Sequence, residues 1–251
     1  MVSKISGIII ARNEEKMIGE ALDSLSFCDE IIVIDNGSTD KTQEIAEKKG
    51  AKIYELQTND FSQLRNFGLS KAEGDWVLYL DSDERIDDDL KNSIKKTVSE
   101  DSKFSAFTLK RKNYYFGNHE WPQIEKMERL FKKEKLTCWK GKLHESPVIT
   151  GEVGNLKDGF ILHFTHRDLE SMLNKTIEWS TQEALLRYNS GHPKMTWWRF
   201  PRVMISGFLN SYIKQKGYKA GVVGVLESIY QSFSMFITYA KLWELQKFNK
   251  K

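Results

Sequence analysis

Trp76-Val77-Leu78-Tyr79-Leu80 is a continuous apolar run, and Asp81-Ser82-Asp83-Glu84 follows it directly. A run of this kind is typical of a buried strand, and carboxylates at its end place hard oxygen ligands at the carboxyl edge of a sheet. At that edge, α/β proteins bind nucleotides and the metal ions that accompany phosphates. The stretch therefore predicts a central strand and the location of the chemistry.

Strand and helix signals alternate around this stretch, throughout residues 1–100. Each short apolar run is ambiguous by itself, but regular alternation is typical of a parallel sheet with crossover helices. We therefore expect an α/β fold with a Rossmann-like, mostly parallel sheet. The strands are expected at residues 5–10, 31–34, 52–56 and 76–80, and the helices at 15–25, 39–49, 61–71 and 88–98.

The pattern changes after residue 100 to shorter strand-like pieces with long loops, which predicts a mixed sheet in the second half. From Asp168 onward the pattern is helical, with an interruption at residues 189–193. We expect one domain over 1–167 and a helical C-terminal region over 168–251. The strand-like pieces lie at 104–109, 127–131, 146–150 and 160–164.

The composition limits the class of protein. With 251 residues, 40% of them hydrophobic, the chain can bury one large core. Cys28 and Cys138 are its two cysteines, which argues against a disulfide framework or a zinc site and for a reducing cytoplasm. Met1 leads into a short apolar strand rather than a basic segment with a longer apolar core, so no signal peptide is expected.

The charge is unevenly distributed, although the net charge is only +3. Residues 194–251 carry ten Lys and Arg against Glu227 and Glu244, whereas residues 1–193 carry 28 basic and 33 acidic residues. A basic end on a mildly acidic body suggests contact with an anionic partner, either a membrane surface or a nucleic acid.

A second polar loop, Asp35-Asn36-Gly37-Ser38-Thr39-Asp40, follows the second expected strand. Gly37 permits a tight turn, and Ser38 or Thr39 is expected to cap the next helix. Backbone N–H groups and polar side chains would then converge at the sheet edge and suit a polar ligand. The alternative is an ordinary turn, because turns commonly contain the same residue types.

Asp81 and Asp83 are the candidates for metal chemistry because they immediately follow a buried strand. Mg²⁺ or Mn²⁺ typically takes one or two protein carboxylates and completes its shell with water and phosphate oxygens. The pair therefore suits a metal-bound diphosphate. The later trio Asp87-Asp88-Asp89 is assigned to structure, since acidic residues favour the start of a helix.

Three segments, one after each of the first, second and fourth expected strands, together resemble the family 2 glycosyltransferases, nucleotide-sugar-dependent enzymes with a GT-A fold. Arg129-Leu130-Phe131, Leu143-His144-Glu145 and the helical, aromatic C-terminal region resemble the small lipopolysaccharide-core-type members. The resemblance implies a GT-A catalytic domain with a nucleotide-sugar half at 1–100 and an acceptor half at 101–167. It is carried, in order, by Ile8-Ile9-Ile10-Ala11-Arg12-Asn13-Glu14-Glu15, Val33-Ile34-Asp35-Asn36-Gly37-Ser38-Thr39-Asp40 and Asp81-Ser82-Asp83-Glu84.

The resemblance implies a role for each matching position. The loop Ala11-Arg12-Asn13-Glu14 and Asp35 would meet the donor nucleotide, Asp35 at its base or ribose. Asp81 would lie by the ribose and metal, and Asp83 would bind the cation, Mg²⁺ or Mn²⁺, that bridges the diphosphate. Arg65 resembles the family's basic residue in the helix before the acidic motif, near the nucleotide. Uridine diphosphate sugars are the commonest donors in the family.

The resemblance also implies an inverting reaction, in which a carboxylate base takes the proton of the acceptor hydroxyl. Glu145, in a polar loop before the strand expected at 146–150, is our candidate for that base, and His144 would orient it or contact phosphate. Glu125 and Glu128 remain rivals. Alternatively, Glu145 is a solvated surface carboxylate beside two lysines.

His163 and His166 end the last expected strand. Neutral imidazole is a common metal ligand, so His163 is a candidate for the metal shell. His166 is a weaker candidate of the same kind. Either residue is otherwise a capping or core histidine.

The basic C-terminal segment interleaves aromatic residues with Arg and Lys, beginning at Trp197-Trp198-Arg199-Phe200-Pro201-Arg202. This pattern is typical of helices at a membrane interface. Glu227 and Gln231 interrupt the apolar stretch 222–239, so a spanning helix is doubtful. We expect a cytoplasmic protein attached peripherally to the inner face of the cell membrane. The alternative is that these aromatic residues belong to a packed core.

Two other functions fit parts of the sequence. A sugar-phosphate nucleotidyltransferase also uses an α/β sheet and acidic metal ligands, but would prefer a Gly-rich basic loop at residues 11–15. A nucleic-acid-binding module would use the basic tail, but carboxylate-rich strand ends repel a phosphate backbone. We therefore expect a glycosyltransferase that acts on a glycan or lipid-linked glycan in cell-envelope polysaccharide or lipopolysaccharide synthesis, without nucleic acid.

Overall fold

The computed structural model describes residues 3–100, 102–141 and 145–248. Short 3₁₀ segments lie at Lys133–Lys135 and Gly217–Ala220, and a π-helical turn lies at Asn210–Lys214. The strands are β1 (Ile5–Ala11), β2 (Glu30–Asp35), β3 (Lys52–Glu55), β4 (Trp76–Asp81), β5 (Glu84–Ile86), β6 (Ala106–Tyr115), β7 (His119–Lys132), β8 (Leu136–Lys140), β9 (Ser146–Ile149), β10 (Val153–Asn155) and β11 (Ile161–Phe164). The helices are α1 (Ile18–Ser24), α2 (Thr42–Lys48), α3 (Phe61–Lys71), α4 (Asp88–Ser99), α5 (Leu169–Asn189), α6 (Arg199–Leu209) and α7 (Gly221–Phe248).

The main sheet has the strand order β3-β2-β1-β4-β7-β6-β11-β5, with β10 beside β6. The first four strands of that order are parallel, whereas β7 runs antiparallel to β4 and β11 antiparallel to β5. Strands β8 and β9 form a separate antiparallel pair. The predicted α/β fold, with a mostly parallel first half, a mixed second half and a helical C-terminal region, is confirmed.

Apolar cores cover both faces of the parallel strands, which explains why these strands are continuous apolar runs rather than alternating ones. Leu78 and Leu80 pack with α1, α2 and α4 on one face. Val77 and Tyr79 pack with α3 and β8 on the other. Because both faces are filled, polar side chains of β4 can only appear at its carboxyl end, where Asp81 lies.

Element boundaries differ from the prediction mainly where polar loops replace the first turn of a helix. The helix expected at 61–71 is observed with those bounds, but α1 begins at Ile18 and α2 at Thr42. Strands β6 and β7 are longer than expected, at 10 and 14 residues. The short strands β5, β8 and β10 were not predicted: β5 and β10 have only three residues each, and β8 (Leu136-Thr137-Cys138-Trp139-Lys140) is not a continuous apolar run.

The chain divides into two compact units, whereas the sequence suggested a division at residue 167. The first unit comprises residues 1–112 and 125–163, and contains the parallel strands. The second comprises residues 113–124 and 164–251, so it includes the tip of the β6–β7 hairpin. Within this second unit, α5 and α7 are joined by the Tyr230 hydroxyl, which donates to the Met172 carbonyl at 2.7 Å.

One helical segment of the described residues, Gly217–Phe248, is long and apolar enough to cross a membrane. Its most apolar window has a mean hydropathy of 1.3, and 28% of that window is buried. Length and composition are the only basis for this statement, because core helices of soluble proteins meet the same criteria.

Candidate active site

The carboxyl ends of three neighbouring strands bring the predicted polar segments together. In the parallel register, Ala11 of β1 pairs with Asp35 of β2, and Ile10 of β1 pairs with Asp81 of β4. The 11–14 loop, Asp35 and Asp81 therefore lie at one edge of the sheet. This is the edge at which α/β proteins bind their ligands.

Asp35 is fully buried and shapes the loop that follows it. Its Oδ2 accepts hydrogen bonds from the backbone N–H groups of Gly37 (3.0 Å) and Ser38 (2.9 Å) and from the Gln43 amide (2.9 Å). Its buried Oδ1 has no hydrogen-bond partner among the described residues. Leaving such an oxygen unbonded costs on the order of 1–3 kcal/mol, which a donor on a ligand would recover.

The predicted helix cap by Ser38 or Thr39 is wrong. The residue before α2 is Lys41, which makes no side-chain cap. Ser38 Oγ instead accepts from the backbone N–H of Asn13 at 3.0 Å, and Thr39 donates its N–H to Asn13 Oδ1 at 2.7 Å. These hydrogen bonds join the loop after β1 to the loop after β2. Asn13 adopts a left-handed backbone conformation there (φ 55°). Arg12 beside it is exposed.

Asp81 lies between two buried arginines, and its side chain is 34% exposed. Arg129 Nη2 approaches its Oδ2 at 2.7 Å, and Arg65 Nη2 approaches its Oδ1 at 3.2 Å. Burial by itself raises the pKa of Asp81, but the guanidinium of Arg129 and then that of Arg65 outweigh it and hold the pKa well below its usual range. The same pairing raises the pKa of Arg129 despite its burial. Asp81 is therefore a carboxylate in this site.

Glu84, which had no predicted role, organises the acidic loop from inside the protein. It is fully buried on β5, and its Oε2 accepts the backbone N–H of Asp81 at 3.0 Å. Its Oε1 accepts from Arg111 Nη1 at 2.7 Å and Arg129 Nη2 at 3.4 Å. Arg111 also pairs with Glu125. Each charged group of this network lies next to groups of opposite charge. Their attraction offsets the free-energy cost of burying each charge, which would be large for one charge alone.

Asp83 and His163 fit a shared divalent cation. Antiparallel pairing of β11 with β5 sets His163 opposite Glu84, and so brings His163 Nε2 within 3.4 Å of Asp83 Oδ2. A carboxylate and an imidazole at this separation can both reach one ion, and imidazole suits Mn²⁺ better than Mg²⁺. No cluster of three or more His, Cys, Asp or Glu ligands occurs in the described part of the chain. The rest of such a shell would come from water and phosphate oxygens.

Glu145 is held at the site by Arg65. Arg65 Nε donates to Glu145 Oε1 at 2.7 Å, and the Glu145 side chain is 14% exposed. The alternative reading of Glu145 as a solvated surface carboxylate is therefore wrong. Because Arg65 also contacts Asp81, it connects the acidic end of β4 to Glu145.

Helix α3 is joined to strand β8, which ends at Lys140, five residues before Glu145. The Asn66 side chain of α3 bonds both ways to Trp139 of β8, donating to its carbonyl at 2.9 Å and accepting from its N–H at 2.7 Å. The Trp139 ring packs on Tyr79, and the Arg65 guanidinium lies 4.8 Å from that indole centroid. The Arg65 guanidinium therefore packs over an aromatic ring and also contacts two carboxylates.

The other predicted residues have different surroundings. His144 lies outside the described residues. The rival base Glu125 is paired with Arg111, while Glu128 is half-buried on β7. His166 belongs to the second unit, where its Nδ1 lies 2.9 Å from Glu227 Oε2 and its ring stacks on Tyr115. This packing supports the reading of His166 as a core histidine.

Sequence reasoning gave no role to Arg111 and Arg129. Arg129 stands in the Arg129-Leu130-Phe131 segment already noted for its resemblance, which was the available signal. Arg111 lies in the run Lys110-Arg111-Lys112, which reads as a solvated basic patch. Only the pairing of distant strands shows that Arg111 turns toward Glu84 while its neighbours do not.

Comparison with known proteins gives a consistent assignment. The profile of the family described as Glycosyl transferase family 2 matches residues 6–151, more than half of the chain. An uncharacterized glycosyltransferase of Rickettsia typhi is 29% identical over 97% of this chain and 88% of its own. The lipopolysaccharide core biosynthesis glycosyltransferase LpsC of Rhizobium meliloti is 27% identical over 96% of this chain and 92% of its own.

Among solved structures, residues 1–349 of TarS from S. aureus align with a TM-score of 0.49 at 18% identity. That alignment covers 98% of this chain and 92% of the TarS chain.

Proposed function

The chain belongs to glycosyltransferase family 2, and on that premise we propose that it moves a sugar from a uridine diphosphate donor to a glycan hydroxyl. The observation that carries the proposal is the meeting of Asp35, Asp81, the Asp83–His163 pair and Glu145 around one sheet edge. The similarity to LpsC over nearly the whole chain supports an acceptor in lipopolysaccharide or another cell-envelope glycan. The chain has the GT-A fold, and we propose that the transfer inverts the anomeric centre of the sugar.

The donor nucleotide would be bound at the ends of β1 and β2. Asp35 is proposed to accept a hydrogen bond from the base or ribose through its unpartnered Oδ1. The loop Ala11-Arg12-Asn13-Glu14 would line the other side, and its interlock with Ser38 and Thr39 keeps the two loops in register. Asp81 and Arg65 would lie beside the ribose and diphosphate.

Asp83 and His163 would hold the Mg²⁺ or Mn²⁺ ion, which supplies positive charge next to the leaving diphosphate when it is bound. Arg65 and Arg129 stand next to the same region, so their guanidinium groups would also stabilise the negative charge that develops there. The paired acids keep these arginines in place before the substrate arrives.

Glu145 is proposed to act as the general base. It would take the proton of the acceptor hydroxyl while that oxygen bonds to the anomeric carbon and the bond from that carbon to the diphosphate breaks. The contact with Arg65 fixes the position of the carboxylate before the acceptor binds.

A lipid-linked acceptor would be met at a membrane surface, and the second unit carries features that suit such a surface. Trp197 is 82% exposed, and the Arg199 and Arg202 guanidinium groups lie over the Trp198 ring. Indole rings beside cationic side chains are typical of the lipid headgroup region. We therefore propose peripheral attachment of the second unit to the inner face of the cell membrane.

A screen of nucleotide sugars tests the proposal. The full chain is titrated with uridine, guanosine and cytidine diphosphate sugars, each with and without Mn²⁺ or Mg²⁺, and its melting temperature and donor hydrolysis are followed. We expect one uridine diphosphate sugar to stabilise and be hydrolysed only with metal, and Asp83→Asn to weaken both effects. Absence of any response to all donors, with a folded protein, would refute the assignment of a donor site.

A further inference from the structure

A cavity of about 410 Å³ lies against β6, within the first unit. Asn155 of β10 pairs in register with Thr108 of β6, and Lys110 is two residues further along β6 on the same face as Thr108. The volume falls within the range of small-molecule sites. The cavity is lined by Thr108, Lys110, Lys126, Asn155, Leu156 and Lys157.

The charge in this cavity is of one sign. Lys110, Lys126 and Lys157 contribute three ammonium groups, and none of the lining residues is acidic. In the described part of the chain these lysines form no ion pair with a carboxylate, unlike the arginines of the candidate active site. Lys110 is held by Phe160, whose ring centroid lies 4.2 Å from its Nζ. Like charges gathered without compensation favour an anionic ligand.

The cavity is separate from the candidate active site. Lys110 adjoins Arg111 on β6, and Lys126 adjoins Glu125 on β7, while Arg111 and Glu125 pair with each other. Consecutive side chains of a strand point to opposite faces of a sheet. The lysine cavity therefore opens on the face opposite to the Arg111–Glu125 pair.

We propose that this cavity binds a sugar phosphate. Lysine is a point-charge ligand for phosphate, whereas carboxylates are bound best by the planar fork of arginine, which the cavity lacks. The Thr108 hydroxyl and Asn155 amide offer hydrogen bonds to sugar hydroxyls, and Leu156 offers an apolar contact to the ring. The volume exceeds that of a phosphate ion alone and leaves room for one sugar. Binding here requires no glycosyl transfer and stands apart from the proposed function.

Calorimetric titration of the full chain tests this site, with glucose 6-phosphate, inorganic phosphate and glucose as probes and saturating UDP present to fill the donor site. We expect glucose 6-phosphate to bind most tightly and glucose not to bind. Changing Lys110, Lys126 and Lys157 together to Gln should weaken the hexose phosphate about tenfold or more. The matched control, Lys91→Gln, Lys95→Gln and Lys96→Gln on α4, should leave its affinity within about twofold.

The phosphate that binds in this cavity could belong to a glycolipid or to a free sugar phosphate. A second titration, with a detergent-dispersed glycolipid that carries a phosphorylated sugar, distinguishes the two. If the site takes the phosphate of a glycolipid, that compound binds more tightly than glucose 6-phosphate; if it takes a free sugar phosphate, the order is reversed. Both orders support the site, provided that the triple variant loses the binding. The proposal would be overturned if the triple variant bound as tightly as the wild type, or if glucose 6-phosphate bound without UDP but not with it. Tighter binding of an oligonucleotide would also overturn it. The single variant Lys126→Gln, at an exposed position, repeats the comparison if the triple variant fails to fold.

Discussion

Arg65 is the residue on which the two halves of the candidate site depend. Its Nε holds Glu145, its Nη2 contacts Asp81, and its plane lies over Trp139. A lysine at this position would offer one charged point and no planar fork, so it could not satisfy both carboxylates in the same geometry. The residue therefore links the donor-side acid to the proposed base.

Glu145→Gln should nearly abolish sugar transfer while leaving donor affinity within about twofold. Gln keeps the shape of the side chain and an oxygen that can accept from Arg65, but it cannot take a proton. The expected loss in kcat is on the order of 10²–10⁴. Initial rates and donor titrations measure the two effects separately. Glu128→Gln, at a half-buried carboxylate on β7, is the matched control, and substantial turnover by Glu145→Gln would remove Glu145 from the mechanism.

The depressed pKa of Asp81 predicts the sign of an acid effect on stability. A carboxyl whose pKa is lower in the folded state stabilises the fold fully above its ordinary pKa, 3.8, and loses that contribution as the pH falls below it. Asp81→Asn should therefore lower the free energy of unfolding at pH 7. It should also make that free energy fall less steeply between about pH 5 and pH 2 than it does in the wild type. Urea unfolding across this range measures both. Asp158→Asn, at an exposed carboxylate, should leave the profile unchanged, and an unchanged acid limb in Asp81→Asn would contradict the ion-pair explanation.

At the scale of elements, helix α3 positions the site as well as filling the core. Asp60 caps its start by accepting from the N–H groups of Ser62 and Gln63. Its inner face reaches the sheet at Gly68, where an added Cβ would lie only 2.7 Å from Ile8 Cγ2. This close approach leaves Arg65 and Asn66 on the turn that faces β4 and β8. The helix therefore places Arg65 between Asp81 at the sheet edge and Glu145.

Asn66→Ala should reduce kcat about tenfold to a hundredfold, because small misplacements of a catalytic group are costly. The substitution removes both hydrogen bonds to the Trp139 backbone, which hold β8 against α3, and Glu145 follows β8 by five residues. Kinetics with saturating donor, together with the melting temperature, measure the effect. Ser70→Ala is the matched control, since the Ser70 hydroxyl donates within its own helix, to the Phe67 carbonyl. Equal activity of Asn66→Ala and the wild type would show that β8 is positioned by other contacts.

At the scale of the whole molecule, the C-terminal helices combine a packed interior with apolar outer faces. Tyr239 and Leu242 are buried in a core with Ala184 and Met195. By contrast, α6 has no fully buried residue, and Ile205 on it is 58% exposed. The packed-core interpretation therefore holds for the inner faces of these helices, while the outer faces expose apolar side chains, and membrane attachment stays a prediction.

Membrane attachment through these outer faces predicts that Ile205→Asp with Ile213→Asp abolishes flotation with anionic liposomes. Each change places a charge where apolar surface would enter the headgroup region, at a cost of about 1–3 kcal/mol. Flotation of the full chain is compared with that of the variant at equal helicity. Ser206→Asp, which adds a charge at an exposed polar position of α6, is the control. Flotation that is unchanged in the double variant, or absent in the wild type, would contradict attachment.

The sequence by itself determined the elements and the edge at which the site lies. Apolar runs such as 76–80 are buried on both faces, so their composition alone identifies them as central strands, and the polar residues after them necessarily lie at a strand end. Asp35, Asp81 and the 11–14 loop were predictable for this reason. The boundaries of α1 and α2 were less predictable, because Asn13, Ser38 and Thr39 bond between loops instead of capping a helix.

Tertiary structure alone decided which charges meet. Glu84 and Arg111 are 27 residues apart, and Arg65 and Glu145 are 80 apart, so no local spacing encodes these pairs. His163 reaches Asp83 only through the antiparallel register of β11 with β5. Periodicity reports which face of an element is buried, but the partner of a buried charge is set by strand order and register, and these emerge only when the whole sheet has formed.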